Sequence, residues 1–165
     1  MKNNQIFRLS SAVLLCLAFS ICGCDKTPKP DGLPDLSPLT IAVTQDGSPL
    51  AEASVCLNPV SGTWNAIGKT DATGKVALYT QGRYVGVAEG TYKVTVVKDD
   101  TDSSGTPSEA SNDPNVFAPA QAFSLVEIQY RDIETTPLTL QVSKGQKTAT
   151  VDVGKAVREK LPELK

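Results

Sequence analysis

The chain has 165 residues, 40% of them hydrophobic and 21% charged, with a net charge of −2 and no histidine. That length and balance make one globular domain the expectation. The lack of a basic cluster excludes nucleic acid, whose binding runs on neutralised phosphates, and the lack of histidine excludes serine–histidine and cysteine–histidine catalysis within the chain.

Lys2 and Arg8 give a positive start ahead of a mostly apolar run from Leu9 to Ile21. It is shorter than the ~20 residues a spanning helix needs, and a short apolar run with a basic flank reads as an export signal. Its end, Ile21-Cys22-Gly23-Cys24, resembles the bacterial lipobox: an apolar residue, a tolerant position, a small residue, then cysteine. Cys22 fits that pattern less well, because Ile21 would stand where a small residue is wanted. The resemblance implies a signal peptide over 1–23, cleavage between Gly23 and Cys24, and a diacylglyceryl thioether with a further acyl chain such as palmitate on Cys24. Two or three acyl chains on one cysteine anchor a protein stably. The mature chain is then expected on the exported side of the cell membrane or the outer membrane.

Residues 24–38 form the next unit, and 26–38 read KTPKPDGLPDLSP. Pro28, Pro30, Pro34 and Pro38 favour extended polyproline conformation at ~3.1 Å per residue, a tether able to hold a domain roughly 40 Å from a bilayer. From Leu39 the hydrophobic period becomes two. Leu39, Ile41 and Val43 form one set, and Asp46-Gly47-Ser48-Pro49 a turn. Ala53, Val55 and Leu57 follow, then a short strand near Trp64 to Gly68. Thr70 to Lys75 is a tight turn, with Gly74 free to take positive φ. Val76 and Leu78, then Tyr92, Val94 and Val96, continue the alternation. The segment 99–122, DDTDSSGTPSEASNDPNVFAPAQA, breaks it as a long polar excursion, functional or disordered. Leu138, Leu140 and Val142, then Ala149, Val151 and Val153, close the series, with Gly145 as the hairpin between them. These seven strands describe an all-β, antiparallel sandwich over 39–154. The tail, 155–165, has room for one or two helical turns before Pro162.

The order of pieces is familiar. "DGSPLAEASVCL", "GKTDATGKVAL" and "EGTYKVTVVK" resemble the carboxypeptidase regulatory-like, transthyretin-like sandwich, with its G-x-P-L-x-x-A-x-V stretch, T-D-x-x-G turn and G-x-Y-x-V-x-V strand. "YRDIETTPLTLQV" before Gly145 is similar to a version in small bacterial lipoproteins, with Gln129 in place of a lysine and Glu127 in place of a proline. The resemblance covers roughly Leu39 to Val153 and implies a seven-stranded, immunoglobulin-like architecture. Its motifs are mostly structural: Asp71 bonds the amides of its own turn, and Tyr92 and Trp64 supply bulk to an aromatic-poor core. Transthyretin-like folds include a hydroxyisourate hydrolase whose site needs histidine and a C-terminal Y-R-G-S. This chain ends in LPELK, and Tyr130-Arg131 is a fragment of that motif by coincidence.

Other candidates for chemistry are few. Asp99, Asp100, Asp102, Glu109 and Asp113 supply oxygens that calcium favours, but no calcium-loop spacing, so a solvated acidic loop is expected and no metal. Cys56 lies by alternation on the face opposite Val55 and Leu57, and no nearby positive group lowers its thiol pKa. Nothing calls for a cofactor. The expectation is a non-enzymatic, lipid-anchored binding or structural module of the cell envelope, meeting an envelope protein through its loops and sheet edge. The alternative is a carbohydrate-binding module stacking a polysaccharide on surface aromatics, for which Trp64, Tyr79, Tyr84 and Tyr130 are the candidate contacts.

Overall fold

The computed structural model describes residues 28–102 and 121–162. They form an all-β fold whose helical content is a single 3₁₀ turn at Ile128–Tyr130. In chain order the strands are β1 (Leu36–Ser37), β2 (Thr40–Gln45), β3 (Ser48–Pro49), β4 (Ser54–Pro59), β5 (Ala66–Lys69), β6 (Lys75–Ala77), β7 (Tyr79–Thr80) and β8 (Tyr84–Val85). They continue as β9 (Val87–Ala88), β10 (Gly90–Val97), β11 (Asp99–Asp102), β12 (Gln121–Ser124), β13 (Thr139–Val142), β14 (Thr148–Asp152) and β15 (Glu159–Lys160).

Two principal sheets carry the body. One is six-stranded and antiparallel, in the order β13-β10-β4-β5-β7-β8. The other runs β14-β2-β3, with β6 also paired to β2. Their inner residues meet in one apolar cluster: Ile41, Val43, Val76 and Val151 from the second sheet, Val55, Leu57, Tyr92, Val94, Val96 and Val142 from the first. The period-two alternation therefore does what it should, placing every second residue of β2, β4 and β10 inside. The arrangement is compatible with a β-sandwich.

Local chemistry sets the turns. Asp46 and Gly47 have φ of 49° and 72°, the left-handed pair that a two-residue hairpin loop needs, and β2 pairs β3 across them, Gln45 to Ser48. Pro49 is tolerated because β3 is a short edge. In the Thr70–Lys75 turn, the Asp71 carboxylate accepts from the amides of Thr73 at 2.8 Å and Lys75 at 3.0 Å, as its sequence foretold. Gly74 has a φ of 73°, and a Cβ there would sit 2.8 Å from the Val43 carbonyl oxygen.

The pairing of the strands departs from the expectations or adds to them. Gly145 does not join a hairpin. β13 pairs β10 in one sheet, whereas β14 pairs β2 in the other, and in parallel. Both strands bury one side in the shared core, so their alternation looked alike while their partners differed. The pure antiparallel reading thus gains a parallel pair that brings the first long strand beside the last. The excursion is paired at both ends: Asp99–Asp102 and Gln121–Ser124 form an antiparallel ladder. The tail adds a strand rather than a helical turn, since β15 pairs Phe123 and Ser124 and Leu161 N–H donates to the Ala122 carbonyl at 2.9 Å. The tether is docked along part of its length, with Leu36 and Ser37 paired to Ala88 and Val87. Gly23, Cys24, Glu109 and Asp113, and with them the cleavage site and lipidation site, lie outside the described residues.

Candidate functional site

Each candidate aromatic takes its place from the strand that carries it. Tyr130 closes the 3₁₀ turn and is only 8% exposed, part of the apolar cluster. Its ring faces are covered by protein, which removes it from any stacking surface. Tyr79 is 41% exposed on β7 and lines a shallow groove with Ile67, Lys69, Lys75 and Ala77. Trp64 and Tyr84 come together instead. They line one shallow, open cleft of about 500 Å³ with Pro30, Thr63, Gln81 and Arg83. Trp64, expected in the core, is half-buried at this rim, and the core bulk comes from Tyr92, 2% exposed. The Tyr92 hydroxyl donates to the Ala88 carbonyl at 2.9 Å.

The cleft is built by the β7–β8 hairpin and the segment leading into β5. Thr80 pairs with Tyr84, leaving Gln81, Gly82 and Arg83 as the loop. Gln81 has a φ of 54° and Gly82 a φ of 68°. A left-handed glycine costs little, but a left-handed glutamine is strained. Gln81 N–H donates to the Asn65 carbonyl at 2.8 Å, and its side-chain amide reaches the Thr63 carbonyl at a long 3.4 Å. The hairpin is thereby fixed to the Trp64 segment. Thr80 anchors it from inside, its hydroxyl donating to the Gly86 carbonyl at 2.7 Å.

One wall belongs to the tether. The Tyr84 hydroxyl donates to the Pro28 carbonyl at 3.1 Å, and Pro30 lines the cleft. On the other wall the Arg83 guanidinium lies 5.9 Å from the Tyr84 ring centre, within cation–π range. No carboxylate pairs with Arg83 among the described residues. The other two described arginines differ. Arg131 pairs with Asp99 through both terminal guanidinium nitrogens. Arg158 meets Asp102 at 2.8 Å and Asp100 at 3.4 Å while stacking 3.7 Å from the Phe123 ring centre. Of the residues weighed as calcium ligands, Asp99, Asp100 and Asp102 are thus engaged by arginines, and no acidic or thiol cluster of metal-binding size occurs among the described residues.

Cys56 is half-buried. Burial pushes its thiol pKa up, against weaker contacts from Asn65 and Asn58, so it is poorly suited to be a nucleophile at neutral pH. No helix among the described residues is long and apolar enough to cross a membrane.

Sequence reasoning supplied Trp64 and Tyr84 but missed Gln81, Arg83, Thr63 and Pro30. The signal was present in Gln81-Gly82, a turn pair directly before Arg83-Tyr84. Its meaning depends on Trp64, seventeen residues before Gln81, being folded against it. Compared with protein-family models, curated proteins and solved structures, the chain matches none.

Proposed function

We propose that the chain is a lipid-anchored, non-catalytic binding module of the cell envelope, a β-sandwich of the carboxypeptidase regulatory-like, transthyretin-like kind. The anchor rests on the sequence: the basic start, the short apolar run and the Ile21-to-Cys24 motif ahead of a proline-rich tether. The sandwich reading rests on the three quoted motifs and on two sheets sharing one core.

The binding role is carried by one observation: Trp64 and Tyr84, far apart in sequence, line a single cleft with Gln81, Thr63 and an arginine that lacks a carboxylate among the described residues. A concave site with aromatic walls and a few convergent polar groups is the usual form of a ligand pocket. Aromatic faces with amide and hydroxyl groups at their rim suit sugar rings, whose one face is apolar and whose edges are hydroxyls. The cleft favours a polysaccharide over the alternative of an envelope protein docked on the loops.

Metabolic labelling with radioactive palmitate, followed by membrane fractionation, tests the anchor. The label is expected on the wild-type protein and absent from Cys24→Ala, which should leave the membrane fraction. Native protein recovered from the medium with Cys24 unmodified would contradict it.

A further inference from the structure

We propose that the Trp64–Tyr84 cleft takes an acidic saccharide, with the Arg83 guanidinium receiving the sugar carboxylate; this rests on the carbohydrate reading above and names its ligand class. Three observations support it. The first is the contrast among arginines. Arg131 and Arg158 are both held by aspartates, the ordinary fate of a guanidinium beside acidic side chains. Arg83 instead stands at the mouth of an aromatic cleft with no carboxylate partner among the described residues. Its planar fork is the side-chain group best matched to a carboxylate, which it can grip through two parallel hydrogen bonds.

The second is orientation. The Arg83 guanidinium lies 5.9 Å from the Tyr84 ring centre, so the charge stands beside the aromatic surface that a sugar ring would meet. Tyr84 is itself fixed through its hydroxyl to Pro28. The ring is therefore placed before any ligand arrives, which lowers the ordering cost of binding.

The third is backbone strain at Gln81. Its φ of 54° is a conformation that glycine or asparagine would adopt at less cost, and such strain gathers at binding sites. The side chain so placed is an amide, able both to donate to and to accept from sugar hydroxyls. Trp64 offers the apolar face, Gln81 and Thr63 the hydroxyl contacts, and Arg83 the charge.

The test is calorimetric titration of the full-length chain in a polyoxyethylene detergent, free of sugar headgroups. The probes are oligosaccharides of galacturonic, glucuronic and sialic acids, their carboxyl-reduced neutral counterparts, and a polyproline peptide. At least one acidic sugar is expected to bind about tenfold or more tightly than its neutral counterpart, with affinity falling as salt rises. Arg83→Gln should remove that preference, bringing the affinity for the acidic sugar down to that for its neutral counterpart. Arg83 is exposed, so this variant should fold. Trp64→Ala should abolish binding of both, and Trp64→Phe should restore part of it. Equal binding of acidic and neutral sugars, or no effect of Arg83→Gln, overturns the acidic assignment and leaves the carbohydrate reading standing. No sugar bound, or the polyproline peptide alone bound, overturns both.

Discussion

The core and the Trp64–Tyr84 cleft handle polar groups in opposite ways. Inside, the buried polar side chains of the described residues have partners. The Thr70 hydroxyl donates to the Leu50 carbonyl at 2.7 Å and accepts from the Ala53 amide at 2.8 Å. Thr136 donates to the Val94 carbonyl at 2.7 Å and Ser124 to the Val126 carbonyl at 2.6 Å. No buried side-chain nitrogen or oxygen among the described residues lacks a partner. At the cleft, among the described residues, the guanidinium has no carboxylate partner, the Gln81 side-chain amide makes one long bond, and the backbone is strained. A buried group without a partner costs far more than an exposed one. The core must therefore be saturated, whereas the cleft can hold hydrogen-bonding capacity in reserve for a ligand.

That contrast can be broken most forcefully from the core side. Leu57 is fully buried between the sheets, so Leu57→Ala should cost about 2–5 kcal/mol by loss of transfer energy and creation of a cavity. Denaturant unfolding checks this, and the folded fraction should keep its ligand affinity. Thr70→Val keeps the shape but strips both hydrogen bonds, leaving the Leu50 carbonyl and Ala53 amide buried and unpaired. The expected loss is about 1–3 kcal/mol.

The cleft should respond with the opposite sign. Gln81→Gly relieves the left-handed backbone, and we expect stability unchanged or raised by up to about 1 kcal/mol, offset in part by glycine's greater unfolded-state freedom. Sugar affinity should fall several-fold in the same variant. Stability and binding moving together would contradict the idea that strain there serves a ligand. The smallest effect belongs to an exposed turn. Hydrogen bonds from the Thr73 hydroxyl, and from the amides of Lys75 and Thr73, hold the Asp71 carboxyl below its ordinary pKa. A group depressed in the folded state stabilises above its unfolded pKa and loses that contribution as pH falls through the folded value. Asp71→Asn should therefore be less stable than wild type at about pH 7, with the gap closing toward about pH 2.

Much of the body could be read from the chain because alternation is a one-dimensional signal. Leu39–Ile41–Val43, Val55–Leu57 and Val94–Val96 each declare one buried face, and Asp46-Gly47 declares its hairpin. Pairing is a three-dimensional fact that alternation does not carry. Leu138–Val142 and Ala149–Val153 look like two arms of a hairpin, yet each is zipped to a different sheet. The tail strand Glu159–Lys160 has no hydrophobic pattern of its own and forms because Phe123 and Ser124 present an open edge. The site was half legible for a related reason. Aromatic residues at low abundance attract notice wherever they fall, so Trp64 and Tyr84 were candidates along with Tyr79 and Tyr130. Only burial separates Tyr130 from them, and only the fold brings Arg83 and Gln81 to Trp64.

Trp64 is the sole tryptophan of the chain, so its fluorescence reports on the cleft alone. Titrating the full-length protein with acidic oligosaccharides should shift or quench that emission in a saturable way, at the same midpoint seen by calorimetry, and Arg83→Gln should displace the midpoint about tenfold. Saturable binding by calorimetry with no change in Trp64 emission would place the ligand elsewhere and contradict the account.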